Sequence, residues 1–466
     1  MRVIMCGMST VVGVRDYDPP EIRRREQRAW YWYEWAQSAF VTTVSVVLAT
    51  PYLTAIAETA ACGHAGTDTD PCTQNLNVLG IPVSPGSAVF YVITIATVLS
   101  FLAMPIVGAL ADRSSSKRSW LLGYALVGAV AAGCLFFVTG TNWQLGALLM
   151  IIGNVALIAS LTVFAAILVE IATPDERDRV STHAWAFGYV GGLILLILSL
   201  VIVELHDTFG LSSEMAVRIC FLLAGLWWFG FSFVPYLGIR DRAVESEQAA
   251  VSFTGSFVQL RDTIRHVRDF PETLKFLIAF LFFNDGVQTV IAVAAVYGSQ
   301  ELGMSVTNVI IAVVVVQIMG IIGALIMTKQ AERRGAYRVV LVALILWTVV
   351  VIAGFFVPAH TFTAFLAMAA AIGLVVAGTQ ALSRSLFSQL IPRGREAEYF
   401  SLYQAAERGT SWLGTLVFGL VHQFTGSYRL ALIALLIFFV IGGFLLRRVN
   451  MAKGITAAGN ELPQVI

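Results

Sequence analysis

Long uninterrupted runs of apolar residues alternate with short polar segments along most of the chain. A helix needs about 20 apolar residues to cross the hydrocarbon layer of a bilayer. Runs of about that length predict twelve membrane-spanning helices, at residues 32–57, 87–111, 119–138, 144–170, 183–203, 216–239, 273–297, 306–328, 338–357, 361–386, 397–421 and 429–446. The pattern therefore predicts an all-α integral membrane protein.

The composition supports a chain built for lipid. Of the 466 residues, 58% are hydrophobic and 13% are charged, whereas about 25% of a typical soluble domain is charged. The formal net charge of +1 gives no reason to expect a nucleic-acid partner. The five cysteines form no CxxC motif and no Cys/His spacing typical of metal sites, so we expect neither a metal nor another cofactor.

Basic residues collect in alternate loops. They are Arg15, Arg23, Arg24, Arg25 and Arg28 in the first tail, then Arg113, Lys117, Arg118, Arg177, Arg179, Arg240, Arg242, Arg261, Arg265, Arg268, Lys329, Arg333, Arg334, Arg393 and Arg395 in the even-numbered loops, and Arg447, Arg448 and Lys453 in the last tail. Because Lys and Arg collect on the cytoplasmic side, the sequence predicts a multi-pass protein of the cell membrane with both termini in the cytoplasm.

A long polar loop divides the twelve predicted helices into six and six. Within it, apolar residues recur at helical spacing and predict an amphipathic helix on the membrane surface: Phe253, Phe257, Leu260, Ile264 and Val267. We expect a tail at residues 1–31, a six-helix bundle at 32–239, a cytoplasmic loop at 240–272, a second bundle at 273–446 and a tail at 447–466.

The two bundles carry matching motifs. Ala111-Asp112-Arg113 and Ala331-Glu332-Arg333 follow the second and eighth helices at an offset of 220 residues. Glu34 and Gln37 in the first helix correspond to Asp285 and Gln288 in the seventh at an offset of 251. A third match joins Pro174, Arg177, Asp178 and Ser181 to Pro392, Arg395, Glu396 and Ser401. Three matches in the same order indicate a duplicated six-helix unit, which is a layout of secondary transporters.

Several segments resemble known families. Gly108-Ala-Leu-Ala-Asp112-Arg113, followed by Lys117-Arg118, resembles the loop signature of the major facilitator superfamily, with serines where a Gly is usual. Segments 33–40, 170–174, 185–189, 283–289 and 380–385 resemble its vacuole-effluxer-like branch, which includes a fungal vacuolar amino-acid exporter. The resemblance implies the major facilitator fold, with two pseudo-symmetric six-helix halves, and transport of amino acids or similar small polar metabolites, as efflux. Glu34 and Gln37 stand where that branch usually has Asp and Asn.

Asp285 is the clearest polar residue inside a predicted span. It lies ten residues beyond Lys275, about 15 Å into the membrane at 1.5 Å per helical residue. Charged residues at that depth are costly and rare, and Asn284 and Gln288 lie close by. One interpretation is a substrate or proton site, and the other is a structural ion pair or hydrogen bond.

Glu407 and Arg408 occupy a similar depth in the predicted eleventh helix. Adjacent helical residues point about 100° apart, so at least one of the two needs another partner. Arg408 pairs with Asp285 or binds an anionic substrate group in one interpretation, and belongs to a permanent salt bridge in the other. Glu34 is predicted near the interface among aromatic residues typical of that region, and only its correspondence with Asp285 favours a site role.

Four further residues complete the predicted substrate site. Gln37 and Gln380 are candidates to hydrogen-bond a polar substrate, and Trp185 and Tyr189 to wall the cavity. Packing between helices is the alternative for each.

A second group of charged residues is predicted to act as a gate. Asp112 and Arg113, with Arg118, stand where a carboxylate can meet basic residues of a neighbouring loop and hold one side closed, and Glu332 and Arg333 are their counterparts. The alternative is that these charges only orient the chain in the membrane.

Cys62 and Cys72 lie in the long loop from Glu58 to Gly86, which is predicted to face outward. In an oxidising compartment they can form a disulfide; two unpaired thiols are the alternative.

The leading functional hypothesis is a monomeric secondary transporter that moves a small molecule through the bilayer by alternating access. The chain lacks a GxxxxGK[ST] nucleotide loop, so an ion gradient, such as a proton gradient, would drive accumulation. The alternatives are an exporter of hydrophobic drugs or lipids, and a membrane enzyme or sensor. An enzyme is not expected, because neither a nucleophile with a base nor a metal cluster is present at suitable spacing.

Overall fold

The computed structural model describes residues 17–66, 72–78, 80–242, 266–409 and 411–466. Almost all of this part of the chain is helical, and a two-stranded hairpin is the exception. The predicted all-α membrane architecture is confirmed. We use "N-terminal half" for residues 17–242 and "C-terminal half" for residues 266–466.

The N-terminal half contains the first seven helices. They are α1 Pro20–Ala39, α2 Ala49–Cys62, α3 Pro85–Asp112, α4 Lys117–Cys134, α5 Trp143–Ile171, α6 Arg177–Glu204 and α7 Ser213–Gly238. A π-helix, Phe40–Leu48, joins α1 to α2 into one continuous rod. The strands β1 Leu76–Val78 and β2 Ile81–Val83 pair antiparallel between α2 and α3.

In the C-terminal half, nine helices have both ends within the described residues, after a short helical stretch at residues 266–269. They are α8 Pro271–Val296, α9 Val306–Arg334, α10 Ala336–Phe355, α11 Phe362–Gln389, α12 Glu396–Gly409, α13 Ser411–Thr425, α14 Tyr428–Ala434, α15 Leu436–Arg447 and α16 Met451–Ala457. A π-helical turn, Tyr297–Glu301, follows α8. The short helices α14 and α15 together form one membrane span, and α16 follows it.

Within the described residues, eleven helical segments are long and apolar enough to cross a membrane. The predicted eleventh span, 397–421, is instead divided between α12 and α13. Its first part is polar, with three glutamates between residues 396 and 407, so neither piece alone reaches the length and apolar content of a span.

The first helix begins earlier than the apolar run suggests. It starts at Pro20, which occupies the first helical turn, a position where proline's missing N–H costs nothing. Its first turns are polar, so an apolar count places the edge at residue 32 instead. Of the predicted amphipathic segment from Phe253 to Val267, the residues before 266 lie outside the described part of the chain, while residues 266–269 are helical and Val267 is buried.

Apolar side chains of both halves form one continuous buried cluster, which reaches from Trp30 and Phe164 to Phe280 and Tyr403. Between the halves, α6 packs against α9 and α11, while α3 and α5 pack against α12. We call the end of the bundle at which α1 begins and α3 ends the basic face, because the clustered arginines and lysines lie there. The other end is the opposite face.

The loop on the opposite face is closed by a covalent bond. Cys62, at the end of α2, forms a disulfide with Cys72. Gly63 ends α2 with a positive φ of 84°, a conformation that glycine adopts without steric cost. The disulfide holds the chain that leads into the β1–β2 hairpin against the end of α2.

Candidate functional site

A buried ion pair joins the two halves. Glu34 on α1 and Arg384 on α11 lie 2.6 Å apart, from Oε1 to Nη1, and are only 4% and 6% exposed. Glu34 therefore does not lie in an exposed aromatic belt. Its neighbours Trp30 and Tyr33 are fully buried as well. Helix α1 begins before the apolar run, at Pro20, and this segment packs inside the bundle.

Polar groups on both sides hold the pair in position. Arg384 Nε donates to Ser181 Oγ at 3.0 Å, and Nη2 donates to the Ser181 carbonyl at 3.3 Å. Gln37 Nε2 donates to the second oxygen of Glu34 at 2.6 Å. The Oε1 atom of Gln37 is buried without a hydrogen-bond partner among the described residues. Gln37 Oε1 is therefore an unused hydrogen-bond acceptor beside the Glu34–Arg384 ion pair.

Aromatic rings surround the guanidinium. Its carbon lies 5.2 Å from the ring centre of Trp30, 5.3 Å from that of Phe164 and 5.8 Å from that of Trp185. A cation over an aromatic face is stabilised by the ring quadrupole, and more so when water is excluded. Trp185 Nε1 is itself buried without a partner among the described residues.

Arg384 is absent from the predicted site residues, although a signal for it was present. It lies inside the predicted tenth span, 361–386, where a basic residue is as exceptional as Asp285 in the seventh. Its partner Glu34 stands fourteen residues after Pro20, and Asp285 fourteen residues after Pro271. Because both prolines begin their helices, the two carboxylates occupy equivalent depths.

A second polar chain lies in the C-terminal half. Gln380, one helical turn before Arg384 on α11, donates to Asn284 Oδ1 at 2.8 Å, and Asn284 Nδ2 donates to the Glu407 carbonyl at 2.9 Å. Gln380 and Asn284 are therefore brought together with the backbone of α12, and they connect the ion-pair layer to α8.

Asp285 is fully buried, and no side chain among the described residues hydrogen-bonds or pairs with its carboxylate, which only the backbone N–H of Gly414 approaches. Gln288, one turn further along α8, is half-buried. Glu407 is largely buried. The predicted pairing of Asp285 with Arg408 falls on a side chain outside the described part of the structure, so it stays a prediction.

Tyr189 packs between the halves rather than against an open space. A Cβ placed on Gly320 of α9 would lie 2.7 Å from the Tyr189 ring, so the glycine admits the ring. The rings of Trp185 and Tyr189 are 6.1 Å apart. On α6, these two side chains extend the aromatic wall from Arg384 toward the middle of the bundle.

The Gly108 and Asp112 pair of α3 docks the beginning of α12. Asp112 accepts hydrogen bonds from the backbone N–H groups of Ala397 and Glu398, both at 2.8 Å. The first N–H groups of a helix have no acceptor within the helix and lie at its positive end, so a carboxylate is a favourable acceptor for them. One turn away, a Cβ on Gly108 would lie 2.8 Å from the Ala397 carbonyl oxygen. The four-residue spacing therefore combines a close backbone approach with a helix cap.

Asp112 thus contacts backbone amides across the halves, where basic loop residues were expected. Lys117 lies 3.6 Å from its carboxylate, 2.7 Å from Glu170 and 4.0 Å from Glu396 of the other half. Arg113 lies near enough to Glu398 for its charge to act on that carboxylate.

Arg118 and the counterpart motif lie elsewhere. Arg118 pairs with Asp241 at 2.7 Å and donates to two carbonyls at the end of α7, so its contacts stay within the N-terminal half. Glu332 and Arg333 are exposed at the end of α9. Thr328 takes the place that Gly108 has in α3, and it hydrogen-bonds Thr182 at 2.5 Å. The two motifs are therefore not equivalent in the structure.

Further contacts close the basic face. Buried Arg177 donates to the Ser388 carbonyl at 3.0 Å, and Gln389 donates to the Pro174 carbonyl at 3.2 Å. At the middle of the bundle Gln317 donates to Thr42 at 3.2 Å. Within the described ranges, the hydrogen bonds between the halves run from the basic face to this level.

The segment Asn460–Ile466 crosses the same face. Asn460 Nδ2 donates to the carbonyls of Gln389 and Ile391, at the end of α11, at 2.9 and 2.8 Å. The backbone N–H of Gln464 donates to Asp175 of the N-terminal half at 2.6 Å. The segment therefore connects the ends of helices from both halves.

Comparison with known proteins gives a consistent result. The family model described as "Vacuole effluxer Atg22 like" matches residues 22–177 and 170–459. The "Uncharacterized MFS-type transporter YxiO" of Bacillus subtilis is 26% identical, over 94% of this chain and 98% of its own length. "Autophagy-related protein 22" of Kluyveromyces lactis is 25% identical, over 91% of this chain and 92% of its own length.

Solved structures share the fold at low sequence identity. The major facilitator transporter FucP, in the outward conformation, superposes with a TM-score of 0.66 and 12% identity, over 92% of this chain and 98% of its own. The proton:xylose symporter XylE gives a TM-score of 0.66 and 13% identity, over 93% and 96%. At this identity the likeness concerns the fold.

Proposed function

The chain belongs to the vacuole effluxer Atg22-like family of major facilitator transporters, and we propose that it exports amino acids or similar small zwitterions by alternating access. The resemblance recognised in the sequence is confirmed, and the protein is a multi-pass secondary transporter. The cargo, the direction and the assignment of residues to the site are our proposals.

One observation carries the choice of cargo. The Glu34–Arg384 pair is buried between the two halves, where a transported molecule must pass in an alternating-access mechanism. In an amino acid, a carboxylate and an ammonium group are attached to the same carbon, so the molecule carries one charge of each sign. Its carboxylate fits Arg384 and its ammonium group fits Glu34, so substrate replaces an existing ion pair by two new ones.

This exchange keeps the energetic cost of opening low. Leaving one partner of a buried ion pair without the other destabilises the protein by about 3–5 kcal/mol. Separating the halves without substrate is therefore unfavourable. A zwitterion satisfies both residues as they part. Gln37, Gln380 and Asn284 offer hydrogen bonds to the rest of a polar substrate, and Trp185 and Tyr189 line one side.

We assign the basic face to the cytoplasm, because Lys and Arg collect there. In that orientation, the contacts of Asp112, Arg177 and Gln389 hold the cytoplasmic side closed. We also propose that residues 32–239 and 273–446 form the two bundles that move relative to each other, and that one chain suffices for transport. Helix α1 begins before the first of these ranges, and α16 follows the second.

The proposal is tested with purified protein in proteoliposomes. Wild type is expected to exchange labelled amino acids across the membrane, and Arg384→Gln to lose exchange by at least about tenfold, the equivalent of 1.4 kcal/mol. Asp207→Asn serves as the control, because this carboxylate is 93% exposed on the opposite face.

The double variant Glu34→Gln/Arg384→Gln separates a structural role from a substrate role. Replacing both partners of a buried pair by neutral groups is often close to neutral for stability. We therefore expect the double variant to unfold near the wild-type temperature and still fail to exchange amino acids. Full exchange by the double variant would remove the pair from the substrate site. Flux of apolar drugs with no flux of amino acids would favour the alternative exporter hypothesis.

A further inference from the structure

Two buried oxygen-bearing side chains on α8 face one point on α13. Asp285 and Thr289 are both fully buried, and no side chain among the described residues hydrogen-bonds Asp285 Oδ1, Asp285 Oδ2 or Thr289 Oγ1. The backbone N–H of Gly414 on α13 is the polar group that approaches the Asp285 carboxylate. The position that a Cβ on Gly414 would take lies 2.9 Å from Asp285 Oδ2 and 2.1 Å from Thr289 Oγ1. The glycine therefore leaves both oxygens uncovered by a side chain.

The charged groups on the elements packed around α8 are mostly remote or engaged. By element they are Glu272 and Lys275 on α8, Glu301 on the π-helical turn, where it pairs with Arg429, Arg384 on α11, Glu396, Glu398, Glu407 and Arg408 on α12, His422 on α13, Arg447 on α15 and Lys453 on α16. Glu272 pairs with Lys275 at the basic face, and Arg384 pairs with Glu34. The backbone of Glu407 lies beside this site, since its carbonyl accepts from Asn284, which precedes Asp285.

The two halves treat their equivalent carboxylates differently. Glu34 and Asp285 stand at the same distance from the start of α1 and α8, yet Glu34 is neutralised by Arg384 and hydrogen-bonded by Gln37. An ionised carboxylate without such partners is costly in a buried site. A bound cation removes that cost at Asp285.

The number of ligands identifies the cation. Hard metal ions such as Ca²⁺ and Mg²⁺ take about six or more oxygen ligands, whereas the described side chains at this site offer one carboxylate and one hydroxyl. A proton needs one oxygen to bind and one neighbour to hydrogen-bond. The pair Asp285 and Thr289 provides both.

We propose that Asp285 and Thr289 form the proton site of this transporter, apart from the Glu34–Arg384 site for substrate. An O–H bond forms on Asp285 as a hydronium ion gives up its proton, and it breaks when the proton passes to water on the other side of the membrane. While the proton is bound, the Thr289 hydroxyl turns to hydrogen-bond the acid, a contact that the two side chains do not make in this structure. The inference rests on the proposed transport function and adds the coupling ion and its binding residues.

The test separates exchange of substrate from accumulation driven by a proton gradient. Proteoliposomes are assayed for exchange of labelled amino acid at equal pH, and for uptake against a concentration gradient under a pH gradient. We expect Asp285→Asn to exchange within about twofold of wild type and to lose gradient-driven accumulation by at least about tenfold. The substrate-elicited pH change inside the vesicles disappears with it.

Companion variants keep the test informative. Thr289→Val retains the side-chain shape and removes the hydroxyl, so its driven uptake is expected to shift in pH dependence while exchange persists. Asp207→Asn is the control for removing a carboxylate, and thermal unfolding of each purified variant reports folding.

The outcomes discriminate between the two proposals. If wild type exchanges amino acids and Asp285→Asn still accumulates them as wild type does, the proton site is wrong and the transport function stands. Loss of exchange in folded Asp285→Asn would place Asp285 in the substrate site and also overturn the inference. If wild type moves no amino acid, the proposed function itself fails.

Discussion

Glu176 shows how a single residue fastens the start of the chain to the bundle. It lies between α5 and α6 and receives two hydrogen bonds from Arg23, at 2.9 and 3.0 Å, as well as one from Gln27 at 3.2 Å. Burial alone would raise the pKa of Glu176, but these hydrogen bonds and one from the Thr173 N–H outweigh burial and lower the pKa below its usual 4.5.

Replacing Glu176 by Gln should make stability depend differently on pH. The lowered pKa means that the folded state keeps the carboxylate ionised to lower pH than the unfolded chain does. The stabilisation is therefore complete above pH 4.5 and lost as the pH falls through the folded pKa. We expect Glu176→Gln to lose about 1–2 kcal/mol at neutral pH. Thermal unfolding from pH 7 to 3.5 measures it, and a deficit that stays constant at low pH would contradict the assignment.

The sequence revealed some of the charged residues of the site and missed others for a physical reason. Asp285 stood out because one charge interrupts a long apolar run. Glu34 was predicted near the membrane interface, because the polar first turns of α1 were not counted as part of the span. Arg384 lies inside the predicted span 361–386 but close to its end, and it was counted neither among the loop charges nor among the site residues. Which charges pair depends on contacts between distant helices, which composition does not encode.

At the level of elements, α3 and α12 form the most specific contact between the halves. Gly108 lets the backbone of α12 approach, and Asp112 caps its first amides. The sequence predicted the motif and its place at a gate. It could not predict the partner, because a helix end offers backbone N–H groups whatever its side chains are.

Gly108→Ala is expected to weaken this contact. Its new methyl group would lie 2.8 Å from the Ala397 carbonyl oxygen and 3.0 Å from the Glu398 Cα, so α12 must move away at a cost of about 1–3 kcal/mol. Hydrogen–deuterium exchange at the amides of Ala397 and Glu398 should become faster. Gly123→Ala is the matched control, since no atom lies within 4 Å of its Cβ position. Equal exchange in both variants would argue against a close-approach role for Gly108.

Element boundaries followed hydropathy where helices are uniformly apolar. The predicted fourth span, 144–170, agrees closely with α5, Trp143–Ile171. Agreement fails where polar residues continue or interrupt a helix, at the start of α1 and at the junction of α12 with α13. The glutamates of α12 are buried inside the bundle. In the first turns of α1 only Glu26 and Gln27 are buried, whereas the other polar side chains there are exposed or half-buried.

On the scale of the whole molecule, the contacts between the halves are concentrated toward the basic face, and the segment Asn460–Ile466 belongs to them. It touches α11 through Asn460 and the N-terminal half through Gln464. Its backbone also meets the α9–α10 junction, where a Cβ on Gly335 would lie against the carbonyl oxygen of Ile466. The segment stabilises the arrangement in which this face is closed.

Deleting Asn460–Ile466 should therefore expose the basic face more often. A cysteine at buried position 388, introduced as Ser388→Cys with the free cysteines replaced, is expected to react with a membrane-impermeant maleimide about 3–10-fold faster in the deletion variant, since a loss near 1 kcal/mol shifts a two-state equilibrium by that order. Asn460→Ala removes only the two hydrogen bonds to α11 and should give a smaller increase. Unchanged labelling after deletion would show that the segment does not contribute to closure.

The Cys62–Cys72 disulfide reports the orientation in which the chain was inserted into the membrane. Thiols are oxidised on the non-reducing side of a membrane and kept reduced in the cytosol, so in the orientation that we propose the bond forms only after the loop following α2 has crossed the membrane. A chain threaded in the inverted direction would retain two free thiols in that loop. The oxidation state of a single pair of sulfur atoms therefore distinguishes correctly oriented molecules from misinserted ones, before any transport is measured.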